Sequence, residues 1–349
     1  MTHSTSRNVL ITGGAGFVGA NLASRLIRNG DNVTLFDNLS RPGAEKNLEW
    51  LREQHQEDFR FVRGDVRDAE AIAQAAKGTQ LFCHLAAQTA VTTSVTDPLT
   101  DFEVNAIGTF NALEAARLEG DDPIFLYAST NKVYGGMEDV GVVEEETRYT
   151  YKDQVRGIAE SQPLDFHSPY GCSKGAADQY VRDYFRVYGL RTVVFRQSCI
   201  YGPRQMGVED QGWVAWFVIA ALLGKPLTIY GDGKQVRDLL YIDDLINAYE
   251  AATREIDSTA GQIYNTGGGP ANTISVWAEF QPLLERLLGR PIPAPETGDW
   301  RTGDQKVFFC DIAKAKADFG WAPEVGVEAG VGRLVRWVSE NTRLFQSET

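Results

Sequence analysis

Tyr170 and Lys174 stand four residues apart in the segment Ser168-Pro169-Tyr170-Gly171-Cys172-Ser173-Lys174. On a helix that spacing is just over one turn, so both side chains share one face. A free phenol titrates at about 10 and is a poor base at neutral pH. An ammonium beside it favours the phenolate, which can take the proton of an alcohol hydroxyl. Upstream, the apolar run Ile124–Ala128 reads as a strand ending in Ser129-Thr130, two hydroxyls at its carboxyl end. Ligands of open α/β sheets bind outside that edge. Thr130, Tyr170 and Lys174 are therefore the candidate catalytic trio. Cys172 lies between Tyr170 and Lys174 at a spacing that turns it off their face, and His167 shapes the loop ahead of them. Neither is assigned chemistry.

A proton acceptor for an alcohol needs a partner that takes the carbon-bound hydrogen. Thr12-Gly13-Gly14-Ala15-Gly16-Phe17-Val18-Gly19 follows the strand-like run Asn8–Ile11 and opens a helical pattern from Phe17 to Ile27. It fits Gly-x-x-Gly-x-x-Gly through Gly13, Gly16 and Gly19, and Gly-x-Gly-x-x-Gly through Gly14, Gly16 and Gly19. Between a strand and a helix, such a turn lets the backbone approach a pyrophosphate while the helix N-terminus supplies free N–H donors. The second strand-like run, Asn32–Phe36, ends at Asp37, where a carboxylate can accept both hydroxyls of an adenosine ribose and repel a 2′-phosphate. That favours NAD over NADP. Arg41, beyond Asn38 and Ser40, is the nearby group that could accommodate the phosphate. Asp65, ahead of Val66, reads either as a partner for the adenine amino group or as a helix cap. An oxidised nicotinamide would favour the Tyr170 phenolate and accept hydride from the carbon whose hydroxyl is deprotonated.

The glycine loop with Thr130, Tyr170 and Lys174 resembles the extended short-chain dehydrogenase/reductase family, and within it the nucleotide-sugar epimerases and dehydratases, over nearly the whole chain. Leu85-Ala86-Ala87 and Asn105 in Val104–Thr109 are similar to that family's cofactor-side elements. Tyr201-Gly202-Pro203-Arg204 and Gly231–Asp238 are similar to its substrate-side elements. The resemblance implies NAD bound by Gly13, Gly16, Phe17, Val18, Asp37, Asn38, Ser40 and Arg41, by Asp65, Val66, Leu85, Ala86, Ala87, Gln88 and Asn105, and by Ser129, Tyr170, Lys174 and Ser198. Ser129–Gly135 (STNKVYG), Asp165–Gln179 and Asp210–Phe217 (DQGWVAWF) narrow it to epimerases that invert C2 of a CDP-linked hexose. Asn131 and Lys132 fall where the sugar 4,6-dehydratases place an Asp-Glu acid/base pair. Dehydration needs such a pair, so its absence argues against that activity.

C2 of a nucleotide-linked hexose is not next to a carbonyl, so its hydrogen is not acidic. Inversion then calls for transient oxidation to a planar 2-ketosugar and return of the same hydride to the other face, with no net redox change. Such a site must grip the nucleotide diphosphate. Arg204, Arg237 and Arg301 are the candidates, since arginine forks suit phosphate, with a surface ion pair as the alternative for each. Asn131 is the candidate sugar contact. Gln211 and Trp213 are candidates for a nucleobase pocket, with a core packing role for Trp213 as the alternative. Two other functions stay open: a nucleotide-sugar 4-epimerase using the same trio, and a non-catalytic NAD-binding sensor or scaffold.

Strand-like runs at Phe59–Val62, Leu81–Leu85 and Thr192–Phe195, with helical patterns at Ala69–Ala76, Asp101–Leu118 and Gly175–Tyr188, extend the alternation. It predicts a Rossmann-type doubly wound parallel sheet with helices on both faces. After Tyr201 glycine and proline turns thicken, with helical stretches at Trp213–Leu223, Asp243–Thr253, Ser275–Leu288 and Ala329–Ser339. The expected division is an NAD-binding part, 1–200, and a smaller α/β substrate-binding part, 201–349. In 349 residues the net charge is −13, so nucleic acid is a poor partner. Four scattered cysteines and four histidines argue against a zinc site or a disulfide framework, and no metal is expected. The polar segment Met1–Asn8 lacks a signal-peptide core, and no apolar run reaches the ~18 residues of a membrane span. A cytoplasmic homo-oligomer, dimer or tetramer, is expected.

Overall fold

The computed structural model describes residues 6–153, 156–301 and 304–346. Residues 1–5, on which the reading of the N-terminal segment partly rests, lie outside the described residues. The described chain forms two compact units interleaved in sequence. One comprises 1–130, 168–195 and 249–263; the other comprises 131–167, 196–248 and 264–349. The expected boundary near 200 is thus one of several crossings. The segment after Thr130 enters the second unit and returns at Ser168, and the helix Ile242–Arg254 carries the chain back again.

The first unit is built on β1 (Asn8–Thr12), β2 (Asn32–Asp37), β3 (Phe59–Arg63), β4 (Leu81–His84) and β5 (Ile124–Thr130). They belong to a seven-stranded sheet of order Gln262–Thr266, Arg191–Gln197, β5, β4, β1, β2, β3. The pairs β1–β2, β2–β3, β1–β4 and β4–β5 are parallel, with Val9 opposite both Val33 and Leu81. Val9, Leu10, Ile11, Phe82 and Phe125 are buried, the unbroken apolar pattern of strands covered on both faces. The chain runs outward from β1 to β3 and then returns to β4 on the other side of β1. In open α/β sheets, ligands bind at such a reversal, outside the strands' carboxyl ends. Helix α1 (Phe17–Arg28) buries Leu22, Leu26 and Ile27, carries Arg25 and Arg28 in its last turn, and stops at Asn29 and Gly30.

Several elements differ from expectation. The helix Ala44–His55 has no counterpart in the sequence reading; its buried stripe is only Ala44, Asn47, Leu48 and Leu51. The predicted helix Asp101–Leu118 is three pieces: an α-helical turn Pro98–Phe102, a π-helical turn Glu103–Ile107 and the helix Gly108–Glu119. The catalytic-segment helix runs Ser168–Tyr188, beginning earlier than the periodicity from Gly175 implied.

In the second unit Val236–Tyr241 is the hub of a four-stranded sheet. It pairs antiparallel with Thr273–Ser275 and parallel with Val307–Phe308 and Cys199–Tyr201. Val133, Tyr134, Tyr151, Val236, Phe308 and Cys310 are among its core. The helix expected from Ser275 starts at Phe280, because Ser275 ends a strand. There the Ser275 hydroxyl accepts from Glu279 N at 2.8 Å, and the Glu279 carboxylate accepts from Ser275 N at 2.9 Å.

Candidate active site

β5 and the helix Ser168–Tyr188 bring the candidate trio Thr130, Tyr170 and Lys174 together within the first unit. The Tyr170 phenol is buried and hydrogen-bonded with Thr130. Burial pushes its titration up to about 12, and the Thr130 bond acts in the opposite direction. Tyr170 N donates to Ser94 Oγ at 3.1 Å, which ties the first turn of the helix to Val91–Thr96. Nothing in the spacing of the sequence pointed to Ser94. Lys174 is 3% exposed. Its Nζ donates to the Ala128 carbonyl at 2.6 Å and lies 4.2 Å from the centre of the Tyr127 ring. Burial pulls the ammonium down to about 7, against the pull of the Asp178 and Asp101 carboxylates. Sequence spacing placed Lys174 beside the phenol; the structure anchors its ammonium on the strand that carries Thr130.

A lysine depressed to about 7 when folded, against about 10.4 when unfolded, binds fewer protons in the native state between those values. Its contribution to stability is therefore least favourable below pH ~7 and improves as pH rises from there towards ~10. Lys174→Met should remove that gain. Urea midpoints at about pH 6.5 and 9 should rise for the parent relative to the variant, and parallel pH dependences would contradict the burial argument.

The glycine loop is built for close approach. A Cβ at Gly13, where φ is +67°, would meet Ala86 N at 2.8 Å, and one at Gly19 would meet Gly13 O at 2.2 Å. Gly16 is the N-cap of α1; no side chain caps that end and no acidic residue sits in its first turn, so Phe17 and Val18 begin the helix with free N–H groups. Asp37 braces the loop: Oδ2 accepts from Ala15 N at 3.0 Å and Oδ1 from Leu39 N at 2.8 Å. Burial raises its titration, and these two bonds lower it. Asn38 donates to Asp65 Oδ2 at 2.9 Å and accepts from Ser40 N at 3.0 Å. Arg41 donates to Thr89 Oγ1 at 2.8 Å. Asp65 is held at about 2, chiefly by hydrogen bonds from Arg67. It is not the helix cap: Asp68 fills that role, accepting from Glu70 and Ala71 N.

Beyond β4, Leu85 N and Ala86 N donate to Thr12 Oγ1, and Ala87 follows them into the same loop. Gln88 N donates to Asn105 Oδ1 at 2.9 Å. Val66 packs where a Cβ on Gly108 would fall, 2.6 Å from its Cγ2. Ser129 points its hydroxyl at the buried Asp178, at 2.7 Å.

The remaining candidates lie in the second unit. Ser198 donates to the buried Asp238. Arg237 is nearly buried and pairs with Asp304 at 2.6 Å, and Lys132 Nζ reaches the same carboxylate at 3.7 Å. Burial raises the Asp304 titration, but the two cations more than offset it and leave it below the usual range. Burial lowers that of Lys132. Asn131 donates to Gln305 Oε1 at 3.2 Å. Arg301 pairs with Asp210 at 3.1 Å and lies 4.0 Å from the centre of the Tyr230 ring. Gln211 and Val208 exchange backbone hydrogen bonds. Arg204 has a positive φ of 70° and stacks over Trp337. Trp213 packs against Phe217 and Phe280, while its Nε1 donates to Cys199 Sγ at 3.4 Å. Among the described residues no cluster of three or more His, Cys, Asp or Glu could hold a metal, and no helix is long and apolar enough to cross a membrane.

A parallel sheet with a topological reversal, a glycine turn opening α1 and a buried Tyr-Lys-Thr set define one class. The chain belongs to the NAD dependent epimerase/dehydratase family, whose model matches residues 9–267, and is an NAD-dependent enzyme. It is 45% identical over 345 residues to a CDP-paratose 2-epimerase of Salmonella typhi, an alignment covering 95% of this chain and 99% of the relative. It is similar in structure to UDP-glucose 4-epimerase of Thermotoga maritima with UDP-glucose (TM-score 0.81, 30% identity, 96% and 99% covered). It is also similar to a dTDP-glucose 4,6-dehydratase of Streptomyces venezuelae with NAD and TYD bound (TM-score 0.81, 29% identity, 96% and 98% covered).

Proposed function

We propose that this enzyme inverts C2 of a CDP-linked hexose, of the paratose-to-tyvelose type or CDP-glucose, through a transient 2-ketosugar. The buried Tyr170 hydrogen-bonded with Thr130, on the helix that carries Lys174, is the observation that carries the chemistry. The 45% identity to a CDP-paratose 2-epimerase across nearly both chains supports the position and the nucleotide.

The first unit fits NAD: Gly13 and Gly19 leave room only for backbone, and the start of α1 offers N–H groups without a competing carboxylate. Gly13, Gly16, Phe17 and Val18 would hold the pyrophosphate, Asp37 the ribose hydroxyls, and Asn38, Ser40, Arg41, Asp65 and Val66 the adenosine end. Leu85, Ala86, Ala87, Gln88, Asn105 and Ser129, with Tyr170 and Lys174, would line the rest; Ser198, in the second unit, is the remaining cofactor candidate. When bound, NAD supplies a reversible hydride acceptor. Tyr170 takes the proton of the C2 hydroxyl as that carbon is oxidised and returns it after the ketone has presented its other face. Thr130 orients the phenol, and the Lys174 charge favours its ionised form. Arg204, Arg237 and Arg301 would bind the diphosphate, Asn131 the sugar, and Gln211 and Trp213 the base.

NAD selectivity gives one test. Asp37→Ala should weaken NAD binding and narrow the preference over NADP, because both the ribose acceptor and the brace on Ala15 N are lost. An unchanged preference in a binding titration would assign ribose recognition elsewhere. The function itself is tested by incubating the enzyme with a panel of nucleotide sugars and assigning products by NMR. Inversion at C2 of a CDP-sugar is expected; inversion at C4 would make it a 4-epimerase.

The reading includes a homo-oligomer in the cytoplasm. The exposed apolar side chains Phe102, Ile107, Phe110 and Leu118, and Tyr180, Val187 and Tyr188 on the helix Ser168–Tyr188, support this reading.

A further inference from the structure

Asp101 belongs to the turn Pro98–Phe102, just ahead of the π-helical residues Glu103–Ile107, and is fully buried. Its Oδ2 accepts from Ser173 Oγ at 2.5 Å. Its Oδ1 accepts from Gln88 Nε2 at 3.0 Å and Asn105 Nδ2 at 3.1 Å. Three donors converge on it, which is the pattern of an ionised carboxylate. Each donor comes from a different part of the site. Ser173 immediately precedes Lys174. Gln88 closes the loop after β4, with its own N–H held by Asn105 Oδ1. Asn105 sits in the π turn, a distortion that recurs at functional sites.

The groups around Lys174 are few. Asp178 on its own helix and Asp101 both favour its charged form. His84 on β4 is held neutral by burial, at about 3. Tyr127 on β5 offers its ring face, and Tyr170 lies one turn back. Asp101 also disfavours ionisation of Tyr170.

We propose that Asp101 is a positioning residue for the epimerisation: it locks the loop Leu85–Gln88 to the helix of Tyr170 and Lys174, and its fixed negative charge acts on both. The proposal rests on reading Tyr170 and Lys174 as the acid–base pair. Nothing in the residue spacing reveals it, because its partners lie 4, 13 and 72 positions away.

Asp101→Asn separates charge from hydrogen bonding. The new amide oxygen can keep Gln88 and Asn105. The amide NH2 can donate to Ser173, whose hydroxyl then turns fully to the Tyr170 carbonyl it already reaches at 3.2 Å. Removing the charge eases ionisation of Tyr170 and weakens protonation of Lys174. Both limbs of the pH profile of kcat should then move to lower pH, by roughly half a unit to one unit. At about pH 9 turnover should fall ~3- to 10-fold relative to the parent. Ser173→Ala removes one anchor and leaves the charge, so it should lower kcat with the limbs in place. Unmoved limbs in a folded Asp101→Asn variant, or an equal shift in Ser173→Ala, would overturn the proposal. Should Asp101→Asn fail to fold, Asp101→Glu keeps the charge and displaces it. Reduced kcat with parental limbs is then expected, and parental kcat overturns the positioning role. Tyr170→Phe, run alongside, separates the two failures: near-normal turnover there removes the acid–base reading itself.

Discussion

Tyr170→Phe should lower turnover by about 10²–10⁴-fold, the usual contribution of one positioned acid–base group. The ring stays, so the packing around it should change little. The lost hydroxyl is the one hydrogen-bonded with Thr130, and burial raises its titration to about 12. A phenol so disfavoured as a phenolate works as a base only if positive charge reaches it, the part that the proposed mechanism gives to Lys174 and the oxidised cofactor. The measurement is kcat by product NMR, with the melting temperature as control for folding. Melting should move by no more than a few degrees, since one hydrogen bond contributes about 1 kcal/mol. Turnover within a few-fold of the parent would remove Tyr170 from the mechanism.

Gly19→Ala should cost the enzyme its cofactor. The added methyl would stand 2.2 Å from Gly13 O and 2.8 Å from Gly14 Cα, both backbone atoms of the turn. Neither can swing away as a side chain would, so the loop must move off α1. Overpacking of this kind costs roughly 1–3 kcal/mol of stability. The larger effect falls on binding, because the N–H groups at the start of α1 and the turn facing them lose their common geometry. NAD affinity should fall by at least about 100-fold, as for the loss of two or more good hydrogen bonds to a charged group. The purified variant should lack dinucleotide absorbance that the parent carries. Parental affinity in a titration would show that the turn does not bind the pyrophosphate.

What the sequence made legible was whatever repeats locally. β1, α1 and β2 follow from an apolar run, a glycine cluster and a second apolar run. Tyr170 and Lys174 share a helix face by spacing alone. The helix Ala44–His55 escaped because its buried stripe, Ala44, Asn47, Leu48 and Leu51, keeps helical spacing but holds only two large apolar side chains. The π turn at Glu103–Ile107 escaped because one extra residue per turn leaves no trace in a helical period. Asp65 read as either an adenine partner or a helix cap; the cap is Asp68, three residues on, which the sequence reading did not single out. Ser94, Asp101 and Asp178 act through contacts distant in sequence, which no spacing rule reports. The interleaving of the two units was likewise invisible, since no shift in composition marks Thr130 or Ser168.

The most direct test of C2 oxidation uses substrate deuterated at C2 in ordinary water. If hydride leaves and returns to the same carbon, the product carries its deuterium at C2 in the inverted configuration, with no free NAD added when the cofactor co-purifies. NMR locates the label and mass spectrometry counts it. Retention at the inverted C2 is the expected result. Washout of the label into solvent would contradict the account and point to proton exchange through an enediol.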